Sequence, residues 1–201
     1  LKFTAYLPSR AQVAPNSDLF EIIGRTDILL HHPFEAFSPV VDLVRQAAED
    51  PDVLAIKQTL YRTGADSPFA AALVKAARSG KEVTAVVELR ARFDEKANID
   101  LATRLQNAGA HVVYGIVGYK THAKMLMVVR REGTKLRRYV HLGTGNYHTG
   151  TAKAYTDISL MTARKSITRD VHNLFMQLTG VGRAEQLETM LQSPFTLQNW
   201  L

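Results

Sequence analysis

A histidine and a lysine stand two residues apart in Gly118-Tyr119-Lys120-Thr121-His122-Ala123-Lys124, directly ahead of the apolar run Met125-Leu126-Met127-Val128-Val129. Side chains at i and i+2 of a strand point to the same face. His122 and Lys124 are therefore expected side by side at one edge of a sheet. A neutral imidazole is a nitrogen nucleophile, and an ammonium is a compact charge for phosphate. The pair suits phosphoryl chemistry. Arg62, Arg90 and Arg92 follow apolar runs, and arginine forks match phosphate oxygens. Gly143-Thr144-Gly145-Asn146 follows another such run and lets backbone N–H groups approach an anion.

These residues need a scaffold that brings them to one place, and the apolar pattern supplies it. Residues 1–20, with Pro8, Ser9, Pro15, Asn16 and Ser17, read as a connector. Ser38-Pro39 marks a helix start, with Ser38 as cap, and the helix extends to about Glu49. Residues 52–61 read as a strand. Asp66-Ser67-Pro68 opens a helix that closes at Gly80, and residues 83–89 form a second strand. A helix over residues 95–108, closed by Gly109, precedes a strand over 111–116. This alternation predicts a parallel core flanked by helices. The rhythm then changes. Residues 123–129 and 136–142 predict an antiparallel hairpin, with the basic run from Arg130 to Arg138 as a solvated tip. A polar loop over 143–153, a strand over 154–161, an amphipathic helix over 167–178 and a short helix over 187–191 complete the pattern. Pro194 and the residues after it read as the lead-in to a missing segment. The fold class is α/β, a mixed sheet of parallel βα units followed by an antiparallel hairpin.

Ligands of such sheets bind beyond the carboxyl ends of the parallel strands. Arg62, Arg92, His122, Lys124, His141 and Asn146 are all expected at that edge. An acidic residue is expected on the second imidazole nitrogen, with Glu88 and Asp157 as the two candidates. His31-His32 invites a metal reading, but neighbours in an extended segment point apart, which favours a structural role.

The whole chain limits the function classes. Its 201 residues suffice for one sizeable domain with flanks, and 46% are apolar. There is no cysteine, hence no disulfide and no thiolate metal site. No run of about 18 apolar residues is present, so no membrane span is expected. The chain starts at Leu1 rather than at a methionine, which reads as a piece of something longer. A formal charge of +6 favours a polyanionic partner.

Several of these segments resemble bacterial polyphosphate kinase. They are Asp27-Ile28-Leu29-Leu30-His31-His32-Pro33-Phe34, Ile56-Lys57-Gln58-Thr59-Leu60-Tyr61-Arg62, Val87-Glu88-Leu89-Arg90-Ala91-Arg92-Phe93-Asp94-Glu95, and Lys120-Thr121-His122-Ala123-Lys124. His141-Leu142-Gly143-Thr144-Gly145-Asn146-Tyr147 and Thr151-Ala152-Lys153-Ala154-Tyr155-Thr156-Asp157 extend the match, which covers residues 18–201 in order. The resemblance implies the first phospholipase-D-like domain of that family. It occupies residues 21–182, with residues 183–201 leading to a second such domain.

The resemblance further implies reversible transfer of the terminal phosphate of ATP to inorganic polyphosphate through a phosphohistidine on His122. Lys124, His141 and Asn146 match the core pattern around the phosphate. Tyr155 matches a nucleotide-contacting tyrosine. Arg62 and Arg92 match arginines around phosphate and the magnesium that arrives with ATP. The implied partners are ATP and ADP, polyphosphate, the missing domains and further copies in a homo-oligomer, with no nucleic acid. A cytoplasmic location is implied, with peripheral attachment at the inner membrane face left open. Phospholipase D and its nuclease relatives carry an aspartate where this chain has Val129, which argues against those branches. A phosphodiesterase or nuclease and a noncatalytic polyanion-binding module are the rival readings.

Overall fold

The computed structural model describes residues 7–10, 12–61, 67–88, 95–116, 118–182 and 186–200. In chain order the elements are α1 (Leu19–Arg25), β1 (Ile28–His32), α2 (Ser38–Glu49), β2 (Val53–Leu60), α3 (Pro68–Arg78), β3 (Glu82–Val87), α4 (Glu95–Asn107) and β4 (His111–Val113). There follow β5 (Lys124–Glu132), β6 (Lys135–Gly143), a 3-10 turn (Thr151–Lys153), β7 (Asp157–Thr162), α5 (Lys165–Leu178) and α6 (Leu197–Trp200). One seven-stranded sheet runs in the order β1-β7-β6-β5-β2-β3-β4. β2, β3 and β4 pair in parallel, while β5, β6, β7 and β1 pair antiparallel, β5 also against β2. The mixed α/β sheet expected from the sequence is the one observed. β5 is the seam between its two halves.

Two apolar layers cover the sheet. Ile56, Leu60, Leu126, Val128 and Tyr139 face the layer built from α2 and α3, with Val44, Phe69 and Leu73 in it. Met125, Met127 and Val140 face the other side, against Val171, Leu174 and Phe175 of α5. Local signals fix the helix ends. The Ser67 hydroxyl accepts the Phe69 N–H at 3.2 Å and Pro68 follows it, so α3 starts where an orphan donor is met and a fixed φ costs nothing. Gly80 ends it at φ +83°, a conformation open to glycine.

Phe69 is fully buried, with its ring 5.9 Å from Phe37 and 5.0 Å from Tyr147. Phe69→Ala is expected to destabilise the fold by about 3–5 kcal/mol, because the cavity lies between a helix and the sheet and cannot collapse. Urea unfolding followed by circular dichroism checks this.

Several local readings change. Ser38 does not cap α2: it is the first helical residue, Phe37 holds the cap position, and no side-chain capping bond forms. Val13, Leu19 and Phe20 join the core, so the stretch before residue 21 is partly packed and carries α1. The hairpin strands run on to a two-residue turn at Gly133-Thr134, and its base is not simply solvated. Arg130 pairs with Asp50 at 2.8 Å, and Arg137 donates to the Gly24 carbonyl. β7 begins at Asp157 because residues 151–153 close a 3-10 turn first. Residues 187–191 are not helical. The N–H groups of Glu188, Thr189 and Met190 turn to the Asp170 carboxylate, which leaves none of them for a helical ladder.

Candidate functional site

The edge of the sheet is assembled by register. Lys124, the first residue of β5, lies opposite Gly143, the last of β6, and Gly143 lies opposite Ser159 of β7. β2 and β3 end at the same edge, with Tyr61 and Glu88 just beyond them. His122 sits on the short link ahead of β5 and is exposed. Lys124 is buried at 6% exposure. Its ammonium donates to the His122 carbonyl at 2.7 Å and lies 3.1 Å from both ring nitrogens. A neutral imidazole has one in-plane lone pair and an N–H on its other ring nitrogen, so the ammonium can donate to at most one of the two. The contact is that of a cation against an imidazole. Tyr61 closes the other side, edge-on to His122 at 5.5 Å. Its face takes Lys120 at 5.0 Å and Lys124 at 5.7 Å. Burial pulls the Lys124 pKa below the usual lysine range. The Asp157 charge works against that shift and the Lys120 charge works with it.

Two carboxylates hold the frame. Glu88, 5% exposed, accepts the Thr121 N–H at 2.8 Å and so anchors the residue before the histidine. Asp157 accepts the Thr144 hydroxyl at 2.8 Å, while the Thr144 oxygen accepts the Ile158 N–H at 2.9 Å. The loop after β6 is thereby tied to the start of β7. Gly145 has no side chain because a Cβ there would strike the Asp157 carboxylate. Both acids weighed as partners of the imidazole thus have an observed task in positioning the backbone around it.

His141 lies under this edge, opposite Leu126 and one diagonal step from Lys124 on the same face. It is buried, and its Nδ1 lies 2.9 Å from the Tyr147 hydroxyl. Burial, with a smaller contribution from the nearby His32, lowers its pKa to about 3. Burial also keeps the Tyr147 hydroxyl protonated far above its usual range. We assign that hydroxyl as donor to Nδ1, which places the ring proton on Nε2. Nε2 has no partner among the described residues and points to the Gly143 end of the strand, 3.6 Å from where a side chain there would begin. The ring is a neutral dipole at every physiological pH. Since its folded pKa is depressed, the unfolded chain binds the extra proton first. Stability is present above pH 6.5 and is lost as pH falls toward about 3. Urea midpoints measured across that window should decline steeply in the unmodified chain and less steeply in His141→Gln.

Other expectations come out unevenly. The Oδ1 of Asn146 is buried and unpartnered among the described residues, in the loop tied down by Thr144. Tyr155 is 64% exposed on the turn before β7, so it does not pack as a strand residue. Arg62 and Arg92 lie outside the described residues. His31 and His32 do point apart. His32 is buried against the Glu35 carbonyl and the Ser159 hydroxyl, at 2.9 and 2.8 Å, and is structural. Sequence reasoning passed over Tyr61, Lys120 and Gln58. Tyr61 and Lys120 were readable as an aromatic and a cation next to the chosen arginine and histidine. Gln58 is fully buried in the row that contains Leu126 and His141, with neither amide atom paired among the described residues. An amide inside an otherwise apolar strand was its signal. Val129 packs toward the α5 layer, away from the Lys124 face.

The family model for polyphosphate kinase C-terminal domain 1 matches residues 18–184. The polyphosphate kinase of Xylella fastidiosa (strain Temecula1) is 67% identical over 193 residues, which are 96% of this chain and 28% of that protein. The chain therefore spans little more than a quarter of the curated relatives it matches. The crystal structure of polyphosphate kinase from Porphyromonas gingivalis superposes with a TM-score of 0.77 at 38% identity, over 91% of this chain and 30% of that one. Nuc from Salmonella typhimurium, a phospholipase D family member, shares the fold with a TM-score of 0.57 at 17% identity, over 80% of this chain and 99% of that one.

Proposed function

The chain belongs to the polyphosphate kinase family through its first C-terminal domain, and from that premise we propose that it carries the phosphoryl-transfer centre of an ATP–polyphosphate phosphotransferase, with His122 as the covalent carrier. The observation behind the reading is the exposed imidazole held between a buried ammonium and the Tyr61 ring at the ligand-binding edge of the sheet.

In the proposed reaction an imidazole nitrogen attacks the γ-phosphorus in line. The bond to the bridging oxygen breaks and ADP leaves with that electron pair. A terminal oxygen of polyphosphate then attacks the same phosphorus, the nitrogen–phosphorus bond breaks and the free imidazole returns. Lys124 offsets charge on the transferring group at the moment it spreads over the equatorial oxygens. Lys120, 5.0 Å above the Tyr61 ring, adds a second cation at the entrance. The Nε2–H of His141 and the loop of Gly143, Gly145 and Asn146 supply neutral donors. Arg62, Arg92 and Tyr155 are proposed contacts to phosphate and nucleotide on the family match alone.

Among the described residues no cluster of three His, Asp or Glu side chains could hold a metal ion. Magnesium is proposed to enter on the nucleotide's own phosphates, which it would neutralise when bound. Glu88 and Asp157, which accept from Thr121 and Thr144, hold the backbone beside His122 and in the loop after β6.

The test uses a full-length polyphosphate kinase carrying this chain as its matching segment, incubated with γ-labelled ATP. Acid-labile, base-stable label on the peptide containing His122, discharged by added polyphosphate, supports the reading. Label on a different peptide, or turnover with none, overturns it.

A further inference from the structure

α5 buries a carboxylate for which the phosphoryl chemistry has no use. Asp170 is 1% exposed, next to Val171 on the helix face that packs against the sheet. Its Oδ1 accepts the Glu188 N–H at 2.9 Å. Its Oδ2 accepts the Thr189 N–H at 2.7 Å, the Thr189 hydroxyl at 2.9 Å and the Met190 N–H at 2.9 Å. Three successive backbone donors curl round the anion and meet the cost of burying it. Arg169 pairs with Glu188 alongside, and Leu187 and Met190 pack on the α5 layer. The segment is thus fixed to the helix at one end.

Its other end reaches the catalytic edge. A turn closes as the Thr196 N–H donates to the Gln192 carbonyl at 2.8 Å and the Gln192 N–H to the Thr196 hydroxyl at 2.8 Å. That turn presents Phe195 to Tyr119, with the rings 5.4 Å apart. Between clamp and ring contact lies a groove of about 650 Å³, walled on one side by Met190, Leu191 and Phe195 and on the other by Tyr119, Thr121 and His122. The link that carries His122 is therefore held from two sides. Glu88 takes the Thr121 N–H from the sheet, and Phe195 meets Tyr119 from the clamped segment.

We propose that Asp170 is a positioning residue for His122, acting through the clamped segment and its Phe195–Tyr119 contact. The geometry makes the approach of the histidine to phosphorus depend on a carboxylate on the far side of the groove. Loosening the clamp lets Phe195 withdraw, and the Tyr119–His122 link then loses its hold from the α5 side while keeping those from the sheet. This inference rests on His122 being the phosphoryl carrier.

The experiment has two arms. Amide exchange on the intact chain compares the parent with Asp170→Asn and with Phe195→Ala, which leaves the clamp in place. In the full-length kinase carrying this chain, single-turnover labelling of His122 is measured for the same variants. Asp170→Asn should speed exchange at residues 188–190 and at 119–121 while the amides of α5 and β5 keep their protection. Phe195→Ala should speed only residues 119–121. Both should slow labelling about tenfold to a hundredfold, as small misplacements of a reacting group do, with half-saturating ATP unchanged. The proposal is overturned if exchange at 119–121 or the labelling rate stays at the parent value in either variant. It is equally overturned if protection falls everywhere, since the carboxylate then serves only stability. Absence of label on His122 in the parent refutes the carrier role instead, and leaves the exchange coupling to be read separately.

Discussion

His122→Ala is expected to remove phosphoenzyme formation altogether in the full-length kinase and to reduce polyphosphate synthesis by at least about a thousandfold, because the proposed nucleophile of the two-step transfer has no substitute among its neighbours. Lys124 cannot replace it. Its side-chain nitrogen is buried and already donates to the His122 carbonyl. The fold should tolerate the change, since the imidazole is exposed and its ring contacts Tyr61 only edge-on. An unchanged urea midpoint alongside lost labelling therefore separates chemistry from stability. Labelling of the Ala variant at the parent's rate would place the carrier elsewhere.

Lys124→Met is expected to move activity and stability in opposite directions. The methionine occupies the same slot beside Tyr61 without a charge. Transfer should fall by about 10²–10³, the scale seen when one donor to a developing anion is lost. Stability at neutral pH should stay level or rise by about 1 kcal/mol, because a buried cation is exchanged for an apolar chain of similar length. The pH dependence gives the sign. The folded pKa of Lys124 lies below its unfolded value of 10.5, chiefly through burial. Between those two values the unfolded chain holds more protons, so the burden of the buried charge is relieved as pH rises through the folded pKa. The parent should gain stability over that alkaline stretch and Lys124→Met should not. Denaturation midpoints from pH 7 upward, set beside transfer rates at pH 7, decide the matter. A variant both less stable and fully active would contradict the assigned role.

Much of the sheet edge could be read from the chain because its determinants are local. The i, i+2 spacing of His122 and Lys124 announces their proximity, although His122 lies on the link just ahead of β5, and the change from helix-spaced to strand-spaced apolar residues locates the switch from parallel to antiparallel pairing. What escaped depends on contacts distant in sequence. Among the described residues β1 pairs with β7 alone, more than a hundred residues later, so nothing near Ile28 announces it. The propensity of residues 187–191 favours a helix, but the Asp170 carboxylate takes their N–H groups. A warning was present even so. Asp170 falls within the apolar stripe of its helix between Ile167 and Leu174, where an unpaired acid would be costly. Gln58 and Glu88 carried the same sign, as polar residues set into or just after apolar strands.

The position of β5 at the seam has a kinetic consequence. The Thr59 hydroxyl donates to the Ala123 carbonyl and accepts the Met125 N–H, bonds that span 64 and 66 residues. Closing a loop of that length costs about 4 kcal/mol of chain entropy before any contact offsets it. The parallel half can gather from near-neighbour βα units, and the hairpin can form alone, yet neither contains the site. The candidate site exists only once the two halves have met, so it belongs to the late, nonlocal part of folding. An opening of the β2–β5 ladder would dissolve it while leaving most of the secondary structure standing.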